Sequence, residues 1–100
     1  MGIIGYKLTE LAESDLENIF DYTLQTWGER QAKDYFQNLL ETIDLLTKSP
    51  EIGTRRQDYF IDCLVFNYHK YQIFYSFDKD FAYVARILHQ SMDMNKFFKG

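Results

Sequence analysis

Two histidines in this 100-residue chain sit close to cations. His69 is followed by Lys70, and His89 lies three residues after Arg86, near the end of the last apolar run. An imidazole titrating near ~6.5 can give or take a proton at neutral pH, and a guanidinium or ammonium can hold a phosphate oxygen. The chemistry within reach of such a set is proton transfer by the imidazole beside a cation that can hold an anion. Arg55-Arg56 is a further basic pair, and a solvated turn explains it without a ligand. Cys63 has no second cysteine to pair with and no metal-ligand types clustered near it, so it reads as a buried structural thiol. No Ser or Cys is marked as an activated nucleophile, and there is no Gly-rich phosphate loop. The residues imply neither a cofactor nor a metal.

Composition works against nucleic-acid chemistry. The formal net charge is -4, the reverse of the Lys and Arg excess that neutralises phosphates. A helix-turn-helix or ribbon with a basic reading face is missing, so sequence-specific nucleic-acid binding is not expected. The aromatic share, 18%, is nearly all Phe and Tyr, which suits either the core of a small domain or the centre of an interface. At 100 residues and 46% hydrophobic, the chain is expected to form one globular domain, residues 1–100. No run approaches the ~20 apolar residues of a membrane span, and no basic region followed by an apolar stretch opens the chain. Tyr6 stands where a myristoylation signal needs Ser or Thr. The expected location is the cytoplasm, away from membranes.

The elements that would position these groups follow from periodicity. Ile3, Ile4, Tyr6 and Leu8 suggest a first strand, and Thr9 a helix N-cap. Ala12, Leu16, Ile19, Phe20, Thr23 and Trp27 then recur at spacings of three and four, placing them on one helical face with Trp27 as a core aromatic. Gly28 stops that helix. Ala32, Tyr35, Phe36, Leu39, Leu40, Ile43 and Leu46 mark a second helix, closed by Pro50. Helices joined by so short a turn must pack antiparallel. Past Gly53 the period changes to that of strands: Leu64 to Phe66, then Tyr71 to Phe77 with Gln72, Phe74 and Ser76 on the less aromatic face, then Phe81 to Leu88 after the polar turn Asp78-Lys79-Asp80. The expected fold is α+β: an N-terminal strand and an antiparallel helical hairpin, from about Thr9 to about Ser49, packed on an antiparallel β-sheet that takes in the first strand. His69 is expected at a strand edge. Beyond His89 the composition loosens into a tail carrying Met92, Met94, Phe97 and Phe98.

Tyr6-Lys7-Leu8-Thr9, Ala12, Asp15-Leu16, Ile19 and Tyr22 resemble the opening of ParE-type toxins, and Trp27-Gly28 with Gln31-Ala32 and Tyr35 continues the likeness. Pro50, Gly53 and Arg55-Arg56 look like the linker of that family, and Arg86-Ile87-Leu88-His89 with Asp93 like its last strand. The resemblance spans nearly the whole chain and belongs to the RelE/ParE superfamily. It implies the toxin of a type II toxin–antitoxin pair, a cognate antitoxin as partner and, on the ParE branch, inhibition of DNA gyrase. The RelE branch implies the alternative, ribosome-dependent cleavage of messenger RNA by basic side chains on the sheet and a Tyr or His near the C-terminus. Gln90, Ser91 and Met92 follow His89 where that Tyr would be wanted, and the middle strand has no Arg or Lys. The expectation is therefore a protein contact without catalytic residues, made by the terminal strand and tail through Arg86, His89, Met92, Met94, Phe97 and Phe98.

Overall fold

A computed structural model describes residues 2–98. The chain runs β1 (Gly5–Leu8), α1 (Glu10–Trp27), α2 (Glu29–Lys48), a 3-10 turn at Pro50–Ile52, β2 (Thr54–Arg55), β3 (Leu64–Tyr68), β4 (Tyr71–Phe77), β5 (Phe81–His89) and α3 (Asn95–Phe98). Thr9 starts the hairpin: its hydroxyl oxygen accepts from the Ala12 N–H at 3.0 Å, covering one of the donors a helix start leaves bare. The same residue ties the helix to the sheet, because its hydroxyl donates to the Ala85 carbonyl at 2.7 Å and its N–H to that of Val84 at 3.1 Å. Gly28, at φ 90, is the only residue between the helices. A side chain there would be strained, so the turn needs glycine.

Ala12, Leu16 and Ile19 of α1 and Leu39, Ile43 and Leu46 of α2 are buried against Tyr68, Ile73, Tyr75, Val84 and Ile87 of the sheet. Each fully buried Leu or Ile contributes roughly 1.5–3 kcal/mol. Phe20 and Trp27 lie on the flank of the α1 stripe that faces α2. Phe20 meets Phe36 edge-on at 5.4 Å, and Trp27 meets Tyr35 at 6.0 Å. Trp27 is consequently 52% exposed, so it is a rim residue and not the core aromatic that its spacing suggested.

The sheet order is β1-β5-β4-β3-β2. β2 to β5 form the expected antiparallel meander. β1, however, joins β5 in parallel, making the sheet mixed. The three antiparallel pairings set β2 opposite to β5, and the helical hairpin returns the chain so that β1 is opposite to β2 and runs with β5. The pairing is also short, from Gly5↔Phe81 to Leu8↔Val84, and among the described residues no strand flanks the second half of β5 on that side.

A bulge interrupts the β4–β5 ladder, where Phe74 pairs with Arg86 but Tyr75 pairs with Val84. Ala85 is the extra residue. Val84 and Ile87, three apart, therefore both reach the core under the hairpin, and Arg86 is turned to the opposite face. That second face is covered by Met94 and Phe98 of the tail, packed with Tyr59, Phe60, Cys63, Val65, Phe74 and Leu88. Among the described residues no helix is long and apolar enough to cross a membrane.

Candidate functional site

The end of β5 forms the floor of a groove of ≈ 490 Å³. One wall is α1, through Asp15, Asn18, Ile19 and Tyr22, and the other is the tail, through Ser91, Met92 and Phe97, with Tyr71 of β4 closing one end. The walls are mostly apolar, and Tyr22, Met92 and Phe97 are exposed by 60%, 44% and 40%. Exposed large side chains grouped in this way mark contact surfaces.

The charged groups of the groove are spent on each other. Asp15 accepts from Arg86 Nε at 2.8 Å and from its terminal nitrogen at 2.9 Å, a two-pronged pair. The same carboxylate accepts the Ile87 N–H at 2.9 Å. Asp15 holds the Arg86 guanidinium further above its ordinary range, so it stays charged at every working pH. The Phe97 ring lies 5.0 Å from the guanidinium carbon and covers its other side.

His89 is fixed as well. Its Nδ1 accepts the Ser91 N–H at 3.1 Å and lies 2.7 Å from the Ser91 hydroxyl, so the neutral ring carries its proton on Nε2. The ring meets Tyr71 edge-on at 5.3 Å. His69 is far along the chain in the β3–β4 turn, at φ 52, and not at a strand edge. Its ring packs on Tyr35 and Tyr68. The basic pair Arg55-Arg56 is likewise outside the groove, with Arg56 bonded to Asp58 at 2.8 Å and stacked on Tyr59.

Of the six residues expected to make contacts, Arg86, His89, Met92 and Phe97 line the groove. Met94 and Phe98 do not. They turn inward to the second cluster, because residues three and four apart on a short helix point to one side, and that side meets the sheet. Asn18, Tyr22 and Tyr71 belong to the groove and were not foreseen as contact residues. Tyr22 is exposed although its α1 neighbours Ile19 and Thr23 are buried, a difference that helical spacing alone does not announce.

Residues 6–94 match the model of the ParE toxin of the type II toxin–antitoxin system parDE. The chain belongs to the ParE toxin family. Within the family it is 31% identical to Toxin ParE1 of Caulobacter vibrioides, over 88% of this chain and 91% of that protein. It is 30% identical to Toxin ParE1 of Mycobacterium tuberculosis, over 91% and 94%. Two solved structures share the fold. The chromosomal ParDE system of P. aeruginosa matches with a TM-score of 0.73 at 18% identity, covering 87% of this chain and 96% of that one. The RelBE2 toxin–antitoxin complex of M. tuberculosis matches at 0.65 and 14%, covering 89% and 99%.

Proposed function

We propose that this ParE-type toxin arrests bacterial growth by binding DNA gyrase, without cutting RNA, and that a cognate antitoxin neutralises it through the β5 groove. The observation that carries the mechanism is the state of Arg86. A guanidinium bound twice by Asp15 and roofed by Phe97 is not free to meet a phosphate. Around His89 in the groove, the Asp15 carboxylate is already occupied by Arg86, and burial raises the Tyr71 phenol above its ordinary range. Phosphodiester cleavage by a RelE-like route needs both a base and free cations, so this arrangement disfavours it. Membership of the ParE family favours gyrase over the ribosome, and the chain's acidic balance agrees with a target that is not an RNA surface. The ParDE and RelBE2 relatives are toxin–antitoxin assemblies, which supports an antitoxin for this chain too. Co-expression with the product of the neighbouring gene tests the partner, and a gyrase supercoiling assay tests the target. An active toxin that leaves supercoiling untouched would remove the gyrase reading.

A further inference from the structure

We infer that the target, gyrase on the reading above, seats an arginine side chain in an aromatic recess at the tip of the helical hairpin, against the Asp34 carboxylate. The inference rests on that reading and names the contact. The recess, of ≈ 340 Å³, is lined by the rings of Trp27, Tyr35, Tyr68 and His69, with Asp34 and two amide side chains beside them. It shares no lining residue with the β5 groove, so it is a surface separate from the one given to the antitoxin.

The rings are grouped around Tyr35. Trp27 lies 6.0 Å from it, His69 5.4 Å, and Tyr68 meets it edge-on at 5.3 Å. The Tyr68 hydroxyl donates to the Tyr35 carbonyl at 2.9 Å, which holds that ring against α2. His69 is the least expected member. The β3–β4 turn has two central residues, His69 and Lys70, and only His69 has a positive φ, 52. Two-residue turns of that kind favour glycine at the first position, so a histidine there carries a backbone cost. Its ring offsets part of that cost by meeting Tyr68 at 4.5 Å, and it completes the recess. Trp27, the chain's single tryptophan, is left 52% exposed on the rim.

Charge decides what fits. Aromatic faces attract cations, and neither Lys nor Arg is among the lining residues. Asp34 makes no ion pair among the described residues, whereas Glu29 and Asp44 of the same helix are bound to Lys33 and Lys48. A phosphate or carboxylate would meet Asp34 and the ring faces and be repelled. A guanidinium fits better than an ammonium. It is planar, it stacks on rings, and its five N–H donors suit the carboxylate together with the amide oxygens of Gln31 and Asn38. The source follows from the target: an enzyme that handles DNA carries arginine on its working surfaces to meet phosphates. A chain of net charge -4 is the complementary partner for such a surface. Trp, Tyr and Arg are also the side chains that carry most energy when buried at an interface.

Gyrase supercoiling assays on variants test the contact. Trp27 and Asp34 are exposed, so both can be changed without unfolding the chain, and melting curves check this. Trp27→Leu and Asp34→Asn should each raise the half-inhibitory concentration roughly tenfold, while Trp27→Phe, which keeps a ring face, should stay within about threefold of the parent. N-acetylarginine amide, titrated into the toxin alone at roughly 10–100 mM, should shift the Trp27 indole N–H resonance. Its neutral counterpart, N-acetylcitrulline amide, should not. A photo-reactive side chain in place of Gln31 should cross-link to gyrase, and cross-linking to the neighbouring gene's product alone would overturn the assignment to the target. Leu and Asn variants as potent as the parent, or equal shifts with arginine and citrulline, would overturn the recess and leave the gyrase reading standing. If the parent toxin leaves supercoiling untouched, both fall.

Discussion

Arg86 and Asp15, 71 residues apart in the sequence, meet in a two-pronged ion pair that joins α1 to β5. Their side chains are 16% and 9% exposed, so the pair is largely out of water. Asp15 also takes the Ile87 N–H. Removing it strands both a guanidinium and a backbone donor, while removing Arg86 leaves the carboxylate one bond. Asp15→Ala is therefore expected to cost about 3–5 kcal/mol of stability, and Arg86→Ala less. The double variant Asp15→Ala with Arg86→Ala should cost less than the sum of the two single losses, while keeping the cost of the stranded Ile87 N–H. Urea unfolding of all three gives the comparison, and equal, additive losses would refute the coupling.

Gly53 and Tyr75 make a second joint. The Tyr75 hydroxyl donates to the Pro50 carbonyl at 2.6 Å and accepts the Gly53 N–H at 3.1 Å. A β-carbon on Gly53 would lie 2.5 Å from that hydroxyl. Gly53→Ala should destabilise by roughly 1–3 kcal/mol through crowding, and by clearly less in a Tyr75→Phe background. Thermal melts of the cycle decide it; the same cost in both backgrounds would place the strain elsewhere.

The tyrosines set an alkaline limit. Burial, with Tyr68 and Tyr71 beside it, pushes the Tyr35 phenol up to about 12, and burial also raises Tyr68, Tyr71 and Tyr75. The folded values lie above the unfolded ones, so this stabilisation is complete below the ordinary phenol value of about 10. It declines as pH rises from there through the folded value, because the unfolded chain releases protons that the fold retains. Urea midpoints should fall across that window, and Tyr35→Phe should flatten the fall. A flat profile in the parent would contradict it.

The tail divides into two jobs. Met94 is 8% exposed in the second cluster, so Met94→Ala should cost roughly 2 kcal/mol or more. Met92 is 44% exposed in the groove, so Met92→Ala should change stability by less than about 0.5 kcal/mol and weaken antitoxin binding. Melting curves beside binding isotherms separate the two. A Met94 variant as stable as the parent would show that the tail does not hold the second cluster together.

Much of this was legible in the chain because periodicity reports burial. The Thr9 cap, the Gly28 turn, the Pro50 stop and the alternation of Tyr71, Ile73 and Tyr75 all stand where their spacing put them. What escaped had no local signature. The parallel seat of β1 depends on where the helical hairpin returns the chain to the sheet, far from β1 in sequence. The bulge at Ala85 shifts Arg86 to the other face without any glycine to announce it. Asp15 looks like one of several acids on α1, and only the fold brings Arg86 to it. For the same reason Met94 and Phe98 read as contact residues: nothing in the tail says which side will find the sheet.

We propose that this toxin stops growth through gyrase and not through RNA. Purified protein should be assayed in parallel for gyrase supercoiling and for ribosome-dependent messenger RNA cleavage. Supercoiling should be lost at concentrations that leave transcripts intact. Cut transcripts, with the cutting abolished by His89→Ala or Arg86→Ala and supercoiling unaffected, would contradict the account.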